Sequence, residues 1–275
     1  MELLRRTFGL SLISVSLLGA CCHARPHSEA SEALIQPSVP VGRSTAAFTS
    51  KVELNSLFDL EGNIPFSSPY DGTLIFSALN SRFDSGHGHG YRNELKIADR
   101  HRRSIERTHE HFSAHITPTL PDGAKTIVAQ YHFDGVDTLL KVYVQDTADR
   151  HLIDGRPNNG IFDVLVRILG TNGKDVTTAL GTVRSGENFA LDINFENGKA
   201  TVTVKTDRNG TIQAERTWIK GENRKIYFKF GDYLQALDSA TLAHTTSPKK
   251  WDEYYRLNHI DRSQVSFSHA TFEHD

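Results

Sequence analysis

The sequence predicts an all-β fold, an antiparallel β-jelly-roll sandwich with a few short helices. Three observations carry this expectation. Many short segments alternate polar and apolar residues, as half-buried strands do. Turn residues separate them: Pro121-Asp122-Gly123, Asp134-Gly135, Asp154-Gly155, Asn158-Asn159-Gly160, Asn172-Gly173, Asn197-Gly198 and Asn209-Gly210. Helical patterns of about 10–15 residues between successive strands, which a parallel α/β sheet needs, are missing. The 275 residues are 38% hydrophobic and 23% charged, a globular balance and long enough for one large sandwich.

Residues 1–20 read as an export signal. Arg5 and Arg6 form a basic start, and the apolar run from Leu10 to Ala20 ends in small residues. The run is too short for a stable transmembrane helix. Leu18-Gly19-Ala20-Cys21 has the form of a bacterial lipobox, so Cys21 is the expected lipidation site; an ordinary cleaved signal is the alternative. The expected location is the periplasm or the outer membrane, with membrane contact only through that anchor, or secretion if the signal is simply cleaved. Residues 21–50 are rich in Ser, Ala, Pro and His without periodicity and read as a tether, leaving 51–275 as the folded domain. Cys21 and Cys22 are the only cysteines, so this domain has no disulfide and no thiol nucleophile.

Leu54, Leu57, Phe58 and Leu60 have helical spacing over one or two turns. Strands are expected at 73–78, 91–97, 111–117, 126–133, 139–144, 162–169, 190–195, 200–206, 211–218, 225–230 and 264–272. Asn197-Gly198 between two alternating runs marks a two-residue hairpin. Two further helices are expected, at 233–242 and 250–257. No repeat of about 20–50 residues stands out.

Three of these segments carry polar residues with a period of two. They are Arg92-Asn93-Glu94-Leu95-Lys96, Gln130-Tyr131-His132, and the run from Tyr227 to Gln235. In a strand, side chains i, i+2 and i+4 share a face. Arg92, Glu94 and Lys96 therefore point one way, as do Gln130 and His132, and Tyr227, Lys229, Gly231, Tyr233 and Gln235. Leu95, Tyr131, Phe228 and Phe230 point to the buried side. A face with so many charges is costly to bury, so it should be wet and functional. It suits an anionic, hydroxyl-rich ligand. The formal net charge of -2 provides no global field for a polyanion, so the attraction must be local.

In order and in residue type, these strings resemble the three signature regions of polysaccharide lyase family 7, the alginate lyases with a β-jelly-roll fold. The family pattern is Arg-Ser/Thr/Asn-Glu-Leu-Arg, Gln-Ile/Val-His, and Tyr-Phe-Lys-Ala-Gly-x-Tyr-x-Gln. The resemblance extends over roughly 54–274, and the run from Val265 to Phe272 looks like the family's closing strand. Three positions depart from the pattern: Lys96 stands for Arg, Tyr131 for Ile or Val, and Phe230 for Ala. Lys96 keeps the charge but loses the bidentate fork. Tyr131 and Phe230 face inward, where their bulk should reshape the sheet beneath the groove. The middle residue of Gln-x-His is associated in the family with uronate preference, so Tyr131 leaves that preference open.

The resemblance implies cleavage of an anionic polysaccharide, alginate or a related polyuronate, by β-elimination. That reaction needs the carboxylate neutralised, a base for the C5 proton and an acid for the departing O4. Arg92, Gln130 and His132 would surround the carboxylate. His132 can also act as base, with Tyr233 as acid, or Tyr233 as both for one C5 configuration. Tyr227, Lys229, Gln235 and Lys96 are candidates for holding the sugar chain, and Glu94 for orienting Arg92. Such a reaction needs no metal and no organic cofactor. A monomer is expected.

Other strings have plainer readings. Ser85-Gly86-His87-Gly88-His89-Gly90 precedes Arg92 and reads as a glycine loop over the groove. His109-Glu110-His111 with His115 matches no structural zinc spacing. Arg100-His101-Arg102-Arg103 reads as a solvated loop or a polyuronate contact, and no nucleic acid partner is expected. Two alternatives remain: a lyase for another polyuronate such as glucuronan, and a non-catalytic carbohydrate-binding jelly roll. The second would need no acid–base pair such as His132 and Tyr233.

Overall fold

Alternating side chains along the chain build two sheets that share one apolar interior. The computed structural model describes residues 57–63, 73–134, 138–146, 160–170, 173–218 and 224–274, all within the unit Glu32–Asp275. The expected signal, the tether and Cys21 lie outside the described residues. The larger sheet runs in the order β1 (Phe58–Glu61), β3 (Arg92–Ile97), β13 (Lys225–Leu234), β6 (Lys125–Phe133), β7 (Thr138–Gln145), β8 (Ile161–Leu169) and β9 (Asp175–Arg184), with β4 (Arg103–Ser104) also paired to β13. The smaller sheet runs β12 (Gly210–Thr217), β11 (Lys199–Thr206), β10 (Phe189–Glu196), β5 (His109–Thr119), β14 (Gln264–His274) and β2 (Leu74–Phe76). Every pairing in both sheets is antiparallel. This is the jelly-roll sandwich expected from the alternation.

Between the sheets lies an aromatic interior. Phe228 of β13 stacks on Phe272 of β14 at 5.4 Å and 7°, and Phe230 meets Phe58, Phe76 and Phe267 edge-on at 5.3–5.8 Å. Such pairs contribute about 0.5–1.5 kcal/mol each beyond their burial. Tyr131 is fully buried among them, 5.0 Å from Phe195 and 4.9 Å from Phe228. The two departures at Tyr131 and Phe230 thus fill the interior beneath the site, as their inward register requires.

All eleven expected strands are present, with ends shifted by up to four residues. At Asn197-Gly198, φ is 49° and 77°, the left-handed pair that a tight hairpin between β10 and β11 demands. Three strands escaped the pattern. The helical spacing at Leu57, Phe58 and Leu60 is overridden: Phe58–Glu61 pairs with β3, since a four-residue strand is too short to show its own period. β4 has two residues. β9 begins with the exposed residues Asp175, Val176 and Thr177, an edge with no buried face to write an alternation. The helix expected at 233–242 does not form. Tyr233 and Leu234 complete β13, and the chain then turns through Asp238, with Leu242 at a φ of 56°.

Of the described helices, α1 (Ala78–Ser81) is a single turn and α2 (Pro248–Leu257) buries Trp251, Tyr254 and Tyr255. Among the described residues no helix is long and apolar enough to cross a membrane. α2 props the end of β13: Tyr255 Oη donates to the Leu234 carbonyl at 2.9 Å. Inside the sandwich, the buried Asp232 carboxylate accepts from Ala78 N at 2.8 Å, Thr126 Oγ1 at 2.6 Å and Ser263 Oγ. One inward side chain therefore ties α1, β6 and the approach to β14 to the strand that carries the site.

Candidate active site

β13 lies between β3 and β6, and this order brings the three polar strings together. The register sets Tyr233 opposite Arg92, Gly231 opposite Glu94 and Lys229 opposite Lys96 on one side. On the other side it sets Lys229 opposite Gln130 and Tyr227 opposite His132. All eight side chains named on these three strands, leaving out Gly231, fall on the outer face. Between Phe230 and Tyr233 the register against β6 shifts by one residue, a bulge that accentuates the local twist. Gly231 sits in it with φ at 147°, and a Cβ there would lie 2.4 Å from the Asn93 carbonyl oxygen. Only glycine allows β3 to come this close.

The expectation of a wet face is corrected by the structure. Arg92, Glu94, Gln130, Lys229 and Tyr233 are all buried, while Lys96, His132 and Tyr227 are half-buried. The charges survive burial because they satisfy one another. Lys229 Nζ lies 2.6 Å from Glu61 Oε2, Lys96 Nζ 3.3 Å from Glu61 Oε1, and Arg92 Nη1 3.4 Å from Glu61 and 3.5 Å from Glu94. Three cations thus face two carboxylates, leaving one positive charge for a ligand's anion.

Glu61 was not among the sequence candidates. It belongs to β1, which the helical spacing obscured, and it stands opposite Glu94 in the register. Burial raises the Glu61 carboxyl, but Lys229, Arg92 and Lys96 together outweigh this and hold it at about 2, against the usual 4.5. Glu94 goes the other way: burial raises it above the usual carboxylate range, against Arg92 and Lys229.

A hydrogen-bond chain runs from Glu94 across the bare Gly231 to β6. Gln130 Nε2 donates to Glu94 Oε1 at 2.6 Å. The Gln130 carbonyl oxygen therefore faces His132 and accepts from its Nε2 at 2.8 Å. Burial, then Lys229, Lys141, Arg92 and Arg102, hold His132 well below its usual pKa, so the ring is neutral. With the proton on Nε2, the lone pair is on Nδ1, where the Thr138 hydroxyl lies at 3.4 Å. The ring stacks on Tyr227 at 5.3 Å and 9°, and Arg102 covers Tyr227's ring at 4.0 Å. Of the basic run 100–103, Arg102 is thereby placed beside the site.

Tyr233 is held from three sides. The Arg92 guanidinium lies 3.9 Å from its ring centroid. His89 N–H donates to its Oη at 2.7 Å, and Ala236 N–H in turn donates to the His89 carbonyl at 2.8 Å. The glycine loop thus seats its backbone on the phenol, with the His89 ring 4.7 Å from that of His244. Because Oη accepts from His89, its own proton remains free to be donated. Gln235 stands apart from this network: its amide folds back on the Tyr233 carbonyl at 3.3 Å. In the string His109-Glu110-His111, which has no zinc spacing, His111 pairs with Asp192 at 2.6 Å and Glu110 with His274 at 2.9 Å.

A family model described as alginate lyase matches residues 38–274. Among solved structures, the alginate lyase from Alteromonas sp. 272 is 33% identical, with a TM-score of 0.69, over 80% of this chain and 95% of that one. The polysaccharide lyase family 18 protein aly-SJ02 is 32% identical, with a TM-score of 0.68, over 80% and 96%. The exolytic family 7 alginate lyase AlyA5 from Zobellia galactanivorans, 16% identical with a TM-score of 0.57 over 88% and 95%, shares the fold. No curated protein matches the chain. With a family match over residues 38–274 and an Alteromonas relative one-third identical, the chain belongs to the alginate lyase family.

Proposed function

We propose that the outer face of the larger sheet cleaves a 4-linked polyuronate, alginate foremost, by β-elimination. The observation that carries this reading is that one network on the outer face joins Tyr233 to His132: Arg92 lies over the Tyr233 ring and pairs with Glu94, Glu94 accepts from Gln130, and Gln130 accepts from His132. A sugar-binding surface needs no such proton-moving pair. Arg92 and the Gln130–His132 pair face the substrate carboxylate, and fixed donors there stabilise the charge that develops as C5 loses its proton. His132 Nδ1, whose lone pair meets the Thr138 hydroxyl at a long 3.4 Å, takes that proton. The C5–H electrons form the C4–C5 double bond, the C4–O4 bond breaks, and Tyr233 gives its proton to the departing O4. One observation favours a second assignment, in which Tyr233 moves both protons. The His89 N–H at its oxygen and the guanidinium over its ring are the surroundings a transient phenolate needs. Lys96, Lys229 and Tyr227 hold the chain, and Glu94 orients Arg92 and Gln130.

The test is incubation with polymannuronate, polyguluronate and polyglucuronate, following ultraviolet absorbance of the new double bond. Silence on all three sinks the lyase reading; activity on polyglucuronate alone moves the substrate from alginate to glucuronan. Tyr233→Phe should lower kcat at least about 100-fold with an unchanged melting temperature. Retained activity would remove Tyr233 from its role. We further propose that the protein is exported as a monomer and lipidated at Cys21. The basic start, the apolar run and the lipobox-like 18–21 support the export and the lipidation. Cys21→Ser should shift it from the membrane fraction to the soluble one.

A further inference from the structure

The larger sheet carries a row of cations that extends past the reacting centre. The register aligns Lys96, Lys229, Gln130, Lys141 and Arg167 across β3, β13, β6, β7 and β8. Strands lie about 4.8 Å apart, so Lys141 stands about 10 Å from Lys229 along this row. Its two neighbours in charge are already engaged on their far sides. Lys229 is drawn toward β1 by Glu61 at 2.6 Å, and Arg167 toward β9 by Asp175 at 3.0 Å. Lys141 itself is half-buried and, among the described residues, makes no hydrogen bond or ion pair. Lys125 also points to this face, 4.6 Å from the Tyr143 ring centroid, and among the described residues it too has no ion pair. Tyr143, Ile127 and Tyr233 form a small apolar cluster alongside the row, separate from the interior. That pattern of an unpaired ammonium beside apolar ring faces suits a second sugar with its own carboxylate.

We propose that Lys141, flanked by Lys125 and Arg167, is a subsite for the carboxylate of a uronate unit other than the one being cleaved. The proposal rests on the lyase reading. It makes the polymer lie across the strands, with one carboxylate at Arg92, Gln130 and His132 and another at Lys141. A polyuronate carries one carboxylate per sugar, so the subsite favours chains over single units and sets how many sugars are held on that side of the break. Burial supports the assignment, since an ammonium short of water and counter-ion gains most from an arriving anion. Burial first, then Arg167, Lys125 and Arg92 against Asp175, bring Lys141 down to about 8. Lys229 on β13 is also lowered, by burial, so the two must be told apart by substitution.

The experiment compares wild type, Lys141→Met and Lys141→Arg on polymer and on defined short oligouronates. Met keeps the apolar stem and removes the charge; Arg keeps a charge that does not titrate. For Lys141→Met we expect KM on polymer to rise about tenfold, with kcat within about twofold and an altered product-length distribution. For wild type, KM should climb as pH passes about 8. In Lys141→Arg that climb should vanish. An unchanged KM and product pattern in Lys141→Met, or an equal climb in Lys141→Arg, overturns the subsite. Wild type silent on every polyuronate overturns the lyase reading instead.

Discussion

Replacing Glu61 by Gln takes one negative charge from among three cations. In the folded protein these cations outweigh burial and hold Glu61 at about 2, against 4.5. A carboxyl displaced that far contributes about 3 kcal/mol at neutral pH. Lys229 offsets part of this, because burial disfavours its charge. The expected loss in Glu61→Gln is therefore about 2 kcal/mol, or about 4–8 °C in melting temperature for a domain of this size. The sign in pH follows from the direction of the shift. A depressed carboxyl stabilises fully above its unfolded value near 4.5 and loses that contribution as pH falls toward 2. The two proteins should differ most at neutral pH and converge near about pH 2. The site should respond in the opposite sense to the fold. Arg92, Lys96 and Lys229 would face Glu94 alone, so a second positive charge is left for substrate and KM for a polyuronate should fall. Denaturant unfolding across pH, with lyase kinetics at neutral pH, measures both. Equal stability at neutral pH, or a gap that persists undiminished at the acid end, refutes the ion-pair account. A KM that rises refutes the charge count.

Two further outcomes test the geometry beneath the site. Gly231→Ala places a methyl 2.4 Å from the Asn93 carbonyl oxygen and 2.7 Å from Glu94 Cα at a φ of 147°. It should cost about 3 kcal/mol and separate β3 from β13, so activity falls even where the protein remains folded. Gly186→Ala, with a φ of 84° and nothing within 4 Å, should cost about 1 kcal/mol and spare activity. Comparable thermal shifts in the two variants would show that close approach of β3 is not what Gly231 provides. Because His132 is held well below 6.5, it remains neutral as pH falls through the usual histidine range. The acid limb of kcat/KM should therefore lie below 6.5. A limb at or above that value would mean that His132 does not supply the base.

Period-two alternation is enough to identify eleven of the fourteen described strands and to divide β3, β6 and β13 into an inward and an outward face. Leu95, Tyr131, Phe228 and Phe230 face the interior for that reason, and Arg92, Gln130, His132 and Tyr233 the outer side of the sheet. These are properties of consecutive residues, which a linear chain displays directly. Placing β13 between β3 and β6 is a long-range pairing, and nothing local in the sequence states it. Yet that pairing lets Glu94 reach Gln130 across Gly231 and sets Arg92 against Tyr233. It also brings in Glu61 from a strand too short to show a period, and Lys141 and Arg167 from strands whose single cations look like ordinary solvent-facing charges. Burial follows the same rule. Taken strand by strand, the charges are too costly to enclose, because the carboxylates that compensate them come from other strands. Which side chains face outward can be read along the chain alone. The tertiary structure decided which of them touch, because cross-strand register, unlike alternation, is a property of two segments at once.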